Sequence, residues 1–180
     1  MMNTQLSLKN KKVLITGAAG GIGKALASEM ASRGAAVVLA DIDAELLEST
    51  VDELQGGGAR VLARAVDVRD AAAVQSLVDD AYSDFGRIDY LFNNAGIVVG
   101  GEARDVSIED WRAVIDTDLY GVVHGVLAAY PIMVKQGSGH IVNTASLAGL
   151  IPATGEISYT AAKYGVVGLS HALRAEGADL

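Results

Sequence analysis

The chain has 180 residues, of which 51% are hydrophobic and 20% charged, a composition that builds a packed core and excludes a disordered segment. A net charge of −8 repels phosphate backbones and argues against nucleic acid as a partner, and the absence of Cys excludes disulfides and thiolate zinc sites. His124, His140 and His171 lack metal-ligand spacing and read as structural, so no metal site is expected.

In chain order, short β-rich runs alternate with longer helical ones. Lys9, Lys11 and Lys12 lead as a solvated start into a first strand, Lys12–Thr16. Gly21–Arg33 reads as a helix stopped by Gly34, and Ala36–Ala40 as a second strand. Ala44–Gln55 is a second helix, ended by three glycines before a third strand, Arg60–Val66. Asp70–Phe85 is a third helix and Ile88–Phe92 a fourth strand. Ser107, with Asp110 three residues on, forms a capping box that opens one long helix to about Gln136. Gly139–Thr144 is a fifth strand and Ile157–Glu176 a last helix.

Apolar strands alternating with helices imply right-handed crossovers and a parallel sheet covered on both faces. The fold class is α/β, doubly wound, and the whole chain, 1–180, reads as one domain. Met1–Asn10 holds no signal-peptide stretch. The most apolar run, Leu119–Val134, is interrupted by His124 and Pro131 and falls short of the ~20 residues of a membrane span. It reads as a buried or subunit-facing helix, no membrane is expected as a partner, and a cytoplasmic location follows by default.

Ligands of an open parallel sheet bind beyond the carboxyl ends of its strands. There the sequence places Thr16 to Gly23 (TGAAGGIG), then Asp41, Asp67-Val68, Asn93-Asn94-Ala95-Gly96 and Ser146. Gly17 suits a tight strand-to-helix turn. Gly21 and Gly23 let backbone approach a pyrophosphate and the helix pack close, with the helix N-terminus facing the phosphates. Asp41, 18 residues after Gly23, suits the adenosine ribose hydroxyls and would repel a 2′-phosphate. No Arg or Lys lies in the glycine loop or just after Asp41, which favours NAD(H) as the cofactor. Tyr159 and Lys163, four apart on the last helix, share one face. An ammonium beside a phenol favours the phenolate, and the pair suits proton exchange with a carbonyl or alcohol oxygen. Tyr164, about 100° round the helix from Tyr159, reads as packing.

These motifs resemble the short-chain dehydrogenase/reductase family, of the compact single-domain type, from about Lys9 to the end of the chain. Thr16–Gly23, including Ile22, is similar to its cofactor loop. Asp67-Val68 is similar to its adenine-contacting pair, and Asn93–Gly96 to its Asn-Asn-Ala-Gly segment. Tyr159–Lys163 resembles its catalytic helix, with Ser146 13 residues before Tyr159. The resemblance implies a Rossmann-type sheet in strand order 3-2-1-4-5. It implies Tyr159 as acid/base, Lys163 as the residue that lowers the pKa of Tyr159 and holds the nicotinamide ribose, and Ser146 as a hydrogen-bond partner of the substrate oxygen. Asn94 would contact the cofactor, with Ala95 and Gly96 lining its cleft. The long helix and the last helix would form a subunit interface of a homo-oligomer, a dimer or tetramer.

Two departures stand out. Where the family usually has Asn holding a water in a proton relay to the lysine, this chain has Asp118. The relay is expected to survive with a carboxylate, the alternative being a role in helix packing or capping alone. Family members also continue beyond the point reached by Leu180, with further strands and a loop over the substrate. The fifth strand would then be a bare edge, and the chain is expected to be a piece of a longer protein.

The leading reading is an NAD-dependent oxidoreductase acting on a secondary alcohol or its ketone. A non-catalytic dinucleotide-binding sensor or scaffold remains open, as does an epimerase or dehydratase holding NAD.

Overall fold

The computed structural model describes residues 8–179. Five parallel strands, β1 (Lys12–Thr16), β2 (Ala36–Asp41), β3 (Val61–Ala65), β4 (Tyr90–Asn93) and β5 (His140–Asn143), form one sheet in the order β3-β2-β1-β4-β5. Leu14 pairs with Val38 on one side and Leu91 on the other, and Leu91 with Ile141, so the register brings the carboxyl ends to one edge.

Successive side chains of a strand point to opposite faces, and each face has its own core. Leu14, Val38 and Ala40 pack with Val74, Leu77, Val78, Ala129 and Met133 of α3 (Ala71–Phe85) and α5 (Gly121–Gln136). Val13, Ile15, Val37 and Leu39 pack with Ala27, Leu47 and Leu54 of α1 (Gly21–Ser32) and α2 (Ala44–Gly56). A third cluster, Val122, Val126 and Val166, joins α5 to α6 (Ile157–Glu176).

The expected Ser107–Gln136 helix is interrupted. Ser107 and Asp110 do form the capping box, and open α4 (Ile108–Ile115). A π-helical turn follows over Asp116–Tyr120, closed by the Gly121 N–H on the Asp116 carbonyl, and α5 then runs to Gln136. A π-turn inserts one residue into the helical ladder, and here it places Asp118 at 0% exposure. Pro131 lies inside α5 without ending it. The carbonyl it leaves unpaired, four residues back, belongs to Leu127, whose side chain is 67% exposed. Ile108–Gln136 is long and apolar enough to cross a membrane by length and composition, yet Val122, Val126, Ala129 and Met133 are buried against the sheet and α6.

The fourth strand starts two residues later than expected. Ile88 gives its N–H to the Gln136 side chain instead of a neighbouring strand, while Asp89 enters the sheet by backbone bonds to Lys12 and His140 and also accepts the Lys12 N–H on its carboxylate. Tyr164 is 44% exposed, contrary to the expectation that it packs.

Candidate active site

Thr16 ends β1 and organises the loop that follows. Its buried hydroxyl accepts the N–H groups of Asn94 and Ala95 at 3.0 and 3.1 Å. Gly17 has φ +64°, and a Cβ there would lie 2.8 Å from the Ala95 Cα, so only glycine fits this crossing. Gly21 and Gly23 divide the roles assigned to them jointly. A Cβ on Gly23 would meet the Gly17 carbonyl oxygen at 1.9 Å, so Gly23 serves close helix packing. A Cβ on Gly21 would meet nothing within 4 Å, so its backbone stands open to the cleft with the exposed Ile22.

The N-terminus of α1 has no side-chain cap and no acid in its first turn. By contrast Asp43 caps α2, Asp70 caps α3 and Ser107 caps α4. The first N–H groups of α1 are therefore left for an outside acceptor, and the helix dipole favours an anion there.

Asp41 ends β2 and ties the loop together, accepting the Ala19 N–H at 2.9 Å and the Asp43 N–H at 3.1 Å. Beyond β3, Val68 is buried and its carbonyl accepts from His124 Nδ1 at 2.9 Å. Asp67 forms a two-pronged pair with Arg69, and the Arg69 hydrogen bonds hold its carboxyl below the usual carboxylate range. Arg69 is a cation at the cleft wall that the sequence reading missed. Arg69 follows β3, away from the β1 and β2 ends that bear on the choice between NAD(H) and its 2′-phosphate form. Asn94 donates its amide to the Thr16 and Gly17 carbonyls, both at 3.2 Å, and accepts from the Thr144 hydroxyl at 3.3 Å. Its side chain thus links the ends of β1 and β5 within the protein.

The last group comes from α6 and its neighbours. The Lys163 ammonium lies 5.4 Å from the Tyr159 ring centroid and donates to the Thr144 carbonyl at 3.0 Å. It also lies 3.1 Å from Asp118 Oδ2. The other oxygen, Asp118 Oδ1, accepts the Ile97 N–H at 2.8 Å. Burial raises the Asp118 carboxyl above its ordinary range, opposed by the Ile97 N–H and the Lys163 charge. Asp118 therefore touches the lysine directly. The two charged atoms meet without room for a water between them at 3.1 Å. Ser146 follows β5 and accepts the Ala148 N–H at 3.2 Å; its hydroxyl makes no bond to Tyr159.

One cleft of about 640 Å³ gathers most of these groups. It is lined by Gly17, Gly21, Ile22, Asp41, Asp67, Val68, Asn94, Ala95, Gly96, Asp118, Tyr159 and Lys163, together with Arg69, Ile97, Thr117 and Thr144. Gly23 and Ser146 lie outside its lining. A groove of about 570 Å³ beside β5 and α6 holds none of the expected site residues. The cleft can accept an anion at α1, hydrogen-bond hydroxyls at Asp41, and move a proton at Tyr159.

The chain is similar to two curated dehydrogenases. It is 44% identical over 171 residues to the hydroxy(phenyl)methylsuccinyl-CoA dehydrogenase subunit BbsD of Thauera aromatica, covering 95% of this chain and 68% of that protein. It is 42% identical over 173 residues to cyclohexanol dehydrogenase of Acinetobacter sp. (strain SE19), covering 94% and 68%. A crystal structure of a short chain dehydrogenase/reductase from Burkholderia phymatum in complex with NAD superposes with a TM-score of 0.92 at 42% identity, covering 96% of this chain and 62% of that one. The chain thus spans between 62% and 68% of the length of these relatives. The short chain dehydrogenase family model matches residues 11–180, and with this sheet order and these relatives the chain belongs to that family.

Proposed function

We propose that this chain carries the NAD(H) site and the acid/base of an oxidoreductase that interconverts a secondary alcohol and its ketone. The observation that carries the reading is the placement of the Tyr159–Lys163 pair in the same cleft as the uncapped N-terminus of α1 and Asp41.

The residues present fit a dinucleotide. The bare N–H groups of α1 and the open face of Gly21 suit a pyrophosphate. Asp41, with Asp67 and Val68 beyond β3, suits the adenosine end, and Asn94, Ala95 and Gly96 form the floor toward Tyr159. The cyclohexanol dehydrogenase and the NAD-bound relative agree with this substrate class and cofactor. NAD, when bound, supplies a hydride acceptor or donor at its nicotinamide. As the alcohol loses its hydride, Tyr159 Oη takes the hydroxyl proton; in the reverse direction it returns that proton to the ketone oxygen. Lys163 favours the phenolate by its charge and offers N–H groups to a ribose hydroxyl. Ser146, at the start of the turn after β5, would steady the substrate oxygen by a hydrogen bond from its hydroxyl. Exposed Leu127, Val134 and Tyr164 on α5 and α6 suit burial between copies of the chain in a dimer or tetramer.

Replacing Tyr159 by Phe in the complete protein should abolish alcohol oxidation and leave NADH binding, followed by nicotinamide fluorescence, within about twofold. Persistence of turnover in that variant would reject the assignment.

A further inference from the structure

Asp118 and Lys163 make the one ion pair among the described residues with both side chains buried, at 0% and 4% exposure. The carboxylate is fixed by the Ile97 N–H, and the ammonium by the Thr144 carbonyl. Oδ2 meets Nζ by charge: it lies 3.1 Å away but has no aligned hydrogen-bond partner in the fold. Gly96 closes one side, where a Cβ would lie 2.9 Å from Oδ2 and 3.5 Å from Nζ.

Few other charges face the pair. From α6 the neighbour is Tyr159, and from the ends of β4 and β5 only backbone groups approach. Of the remaining ionisable groups lining the cleft, Asp67 and Arg69 neutralise each other, and Asp41 accepts two backbone N–H groups. On the π-turn and α5, Asp116 acts on Arg69 and His124 is held by the Val68 carbonyl. The field at Tyr159 is set by Lys163 and Asp118 together.

We propose that Asp118 is a positioning residue that sets the charge felt by Tyr159: paired with Lys163, it cancels much of the ammonium field, so the phenol gives up its proton at a higher pH than beside an unpaired lysine. An opposite charge in contact with the ammonium turns a monopole into a dipole, whose influence falls faster with distance. This rests on Tyr159 as the acid/base for its functional meaning, and on geometry alone for the coupling.

The test follows phenolate absorbance during an alkaline titration of the chain. The contribution of Tyr159 is isolated by subtracting the Tyr159→Phe chain, in both native and Asp118→Asn backgrounds. The amide keeps the size of the side chain and an acceptor for the Ile97 N–H while removing the charge. The Tyr159 midpoint should fall by about one pH unit in Asp118→Asn, a tenfold gain in acidity; an unchanged or higher midpoint overturns the proposal. Should the amide variant fail to fold, the unaltered chain gives the answer by NMR. The Tyr159 Cζ resonance, assigned by its loss in Tyr159→Phe, should shift with the same midpoint as the Asp118 carboxyl carbon, and silence there overturns it. Neither measurement uses turnover, so rejection of Tyr159 as the acid/base would be seen separately.

Discussion

The hydroxyl of Thr16 accepts the backbone N–H of Asn94 at 3.0 Å across 78 positions of sequence. With the Ala95 N–H at 3.1 Å and its own bond to the Phe92 carbonyl at 3.4 Å, this one side chain fastens the glycine loop to the floor of the cleft. Thr16→Val keeps the shape and strands two partly buried donors. Each costs about 1–3 kcal/mol when left unsatisfied. Urea unfolding should show a loss in that range or above, and NADH binding should weaken with it.

Gly21 and Gly23 separate binding from folding. Gly23→Ala drives a methyl into the Gly17 carbonyl and should destabilise the chain by about 1–3 kcal/mol or more. Gly21→Ala, at φ +51° but in open space, should cost only roughly 1–2 kcal/mol of backbone strain. Its larger effect should be on NADH affinity, because the methyl occupies the open face at the α1 N-terminus. Thermal melts and fluorescence titrations of the two variants should rank them in opposite order.

Asp41→Asn keeps an acceptor for the Ala19 N–H and removes the charge. The ratio of NADPH to NADH affinity should rise about tenfold, or ~1.4 kcal/mol, by competitive fluorescence titration. Arg69, at the same wall, makes a larger rise reachable in Asp41→Asn combined with Asp67→Asn, which frees the guanidinium from its partner.

Acid should loosen the joint between β1 and β4. Asp89 is buried, and although burial alone would raise its carboxyl, the Lys12 N–H, Lys11 and Arg87 hold it below the ordinary range. A carboxyl depressed in the folded state contributes stability above its unfolded value of about 3.9, and that stability is lost as pH falls through the folded value. Asp118, raised in the folded state, acts the other way: its charged form is the costly one, and protonation relieves that cost as pH falls. Urea midpoints of the native chain and Asp89→Asn should therefore converge as pH falls below about 3.9 and on through the lowered folded value, with the variant flatter throughout.

Much of this site was legible in the sequence because strand ends are marked by composition. The acid closing β2, the Asn pair closing β4 and the glycine loop closing β1 each follow an apolar run, and the parallel register brings them to one edge. The π-turn was not legible. A period of 3.6 runs through Ser107–Gln136 on either side of the insertion, and what holds the turn in place is tertiary: Asp118 reaching Lys163, forty-five positions on, and the Ile97 N–H. Arg69 was missed for a related reason, since its proximity to the cleft depends on the neighbouring β2 and β3 ends rather than on local sequence. The direct contact of Asp118 with Lys163 was not legible either, because it rests on a distance that no pattern of residues encodes.

The inserted turn at Asp116–Tyr120 also makes this segment sensitive to length. Each helical residue advances about 100°, so removing one residue here would leave an unbroken helix and rotate everything on one side of the break by that angle. Either α4 would turn away from α6, or α5 would turn its apolar stripe away from the sheet, or Asp118 would swing off Lys163. Substitutions along the segment alter one contact at a time, whereas a deletion acts as a rotation of a whole helix, and the two faces can be aligned only by the residue count now present.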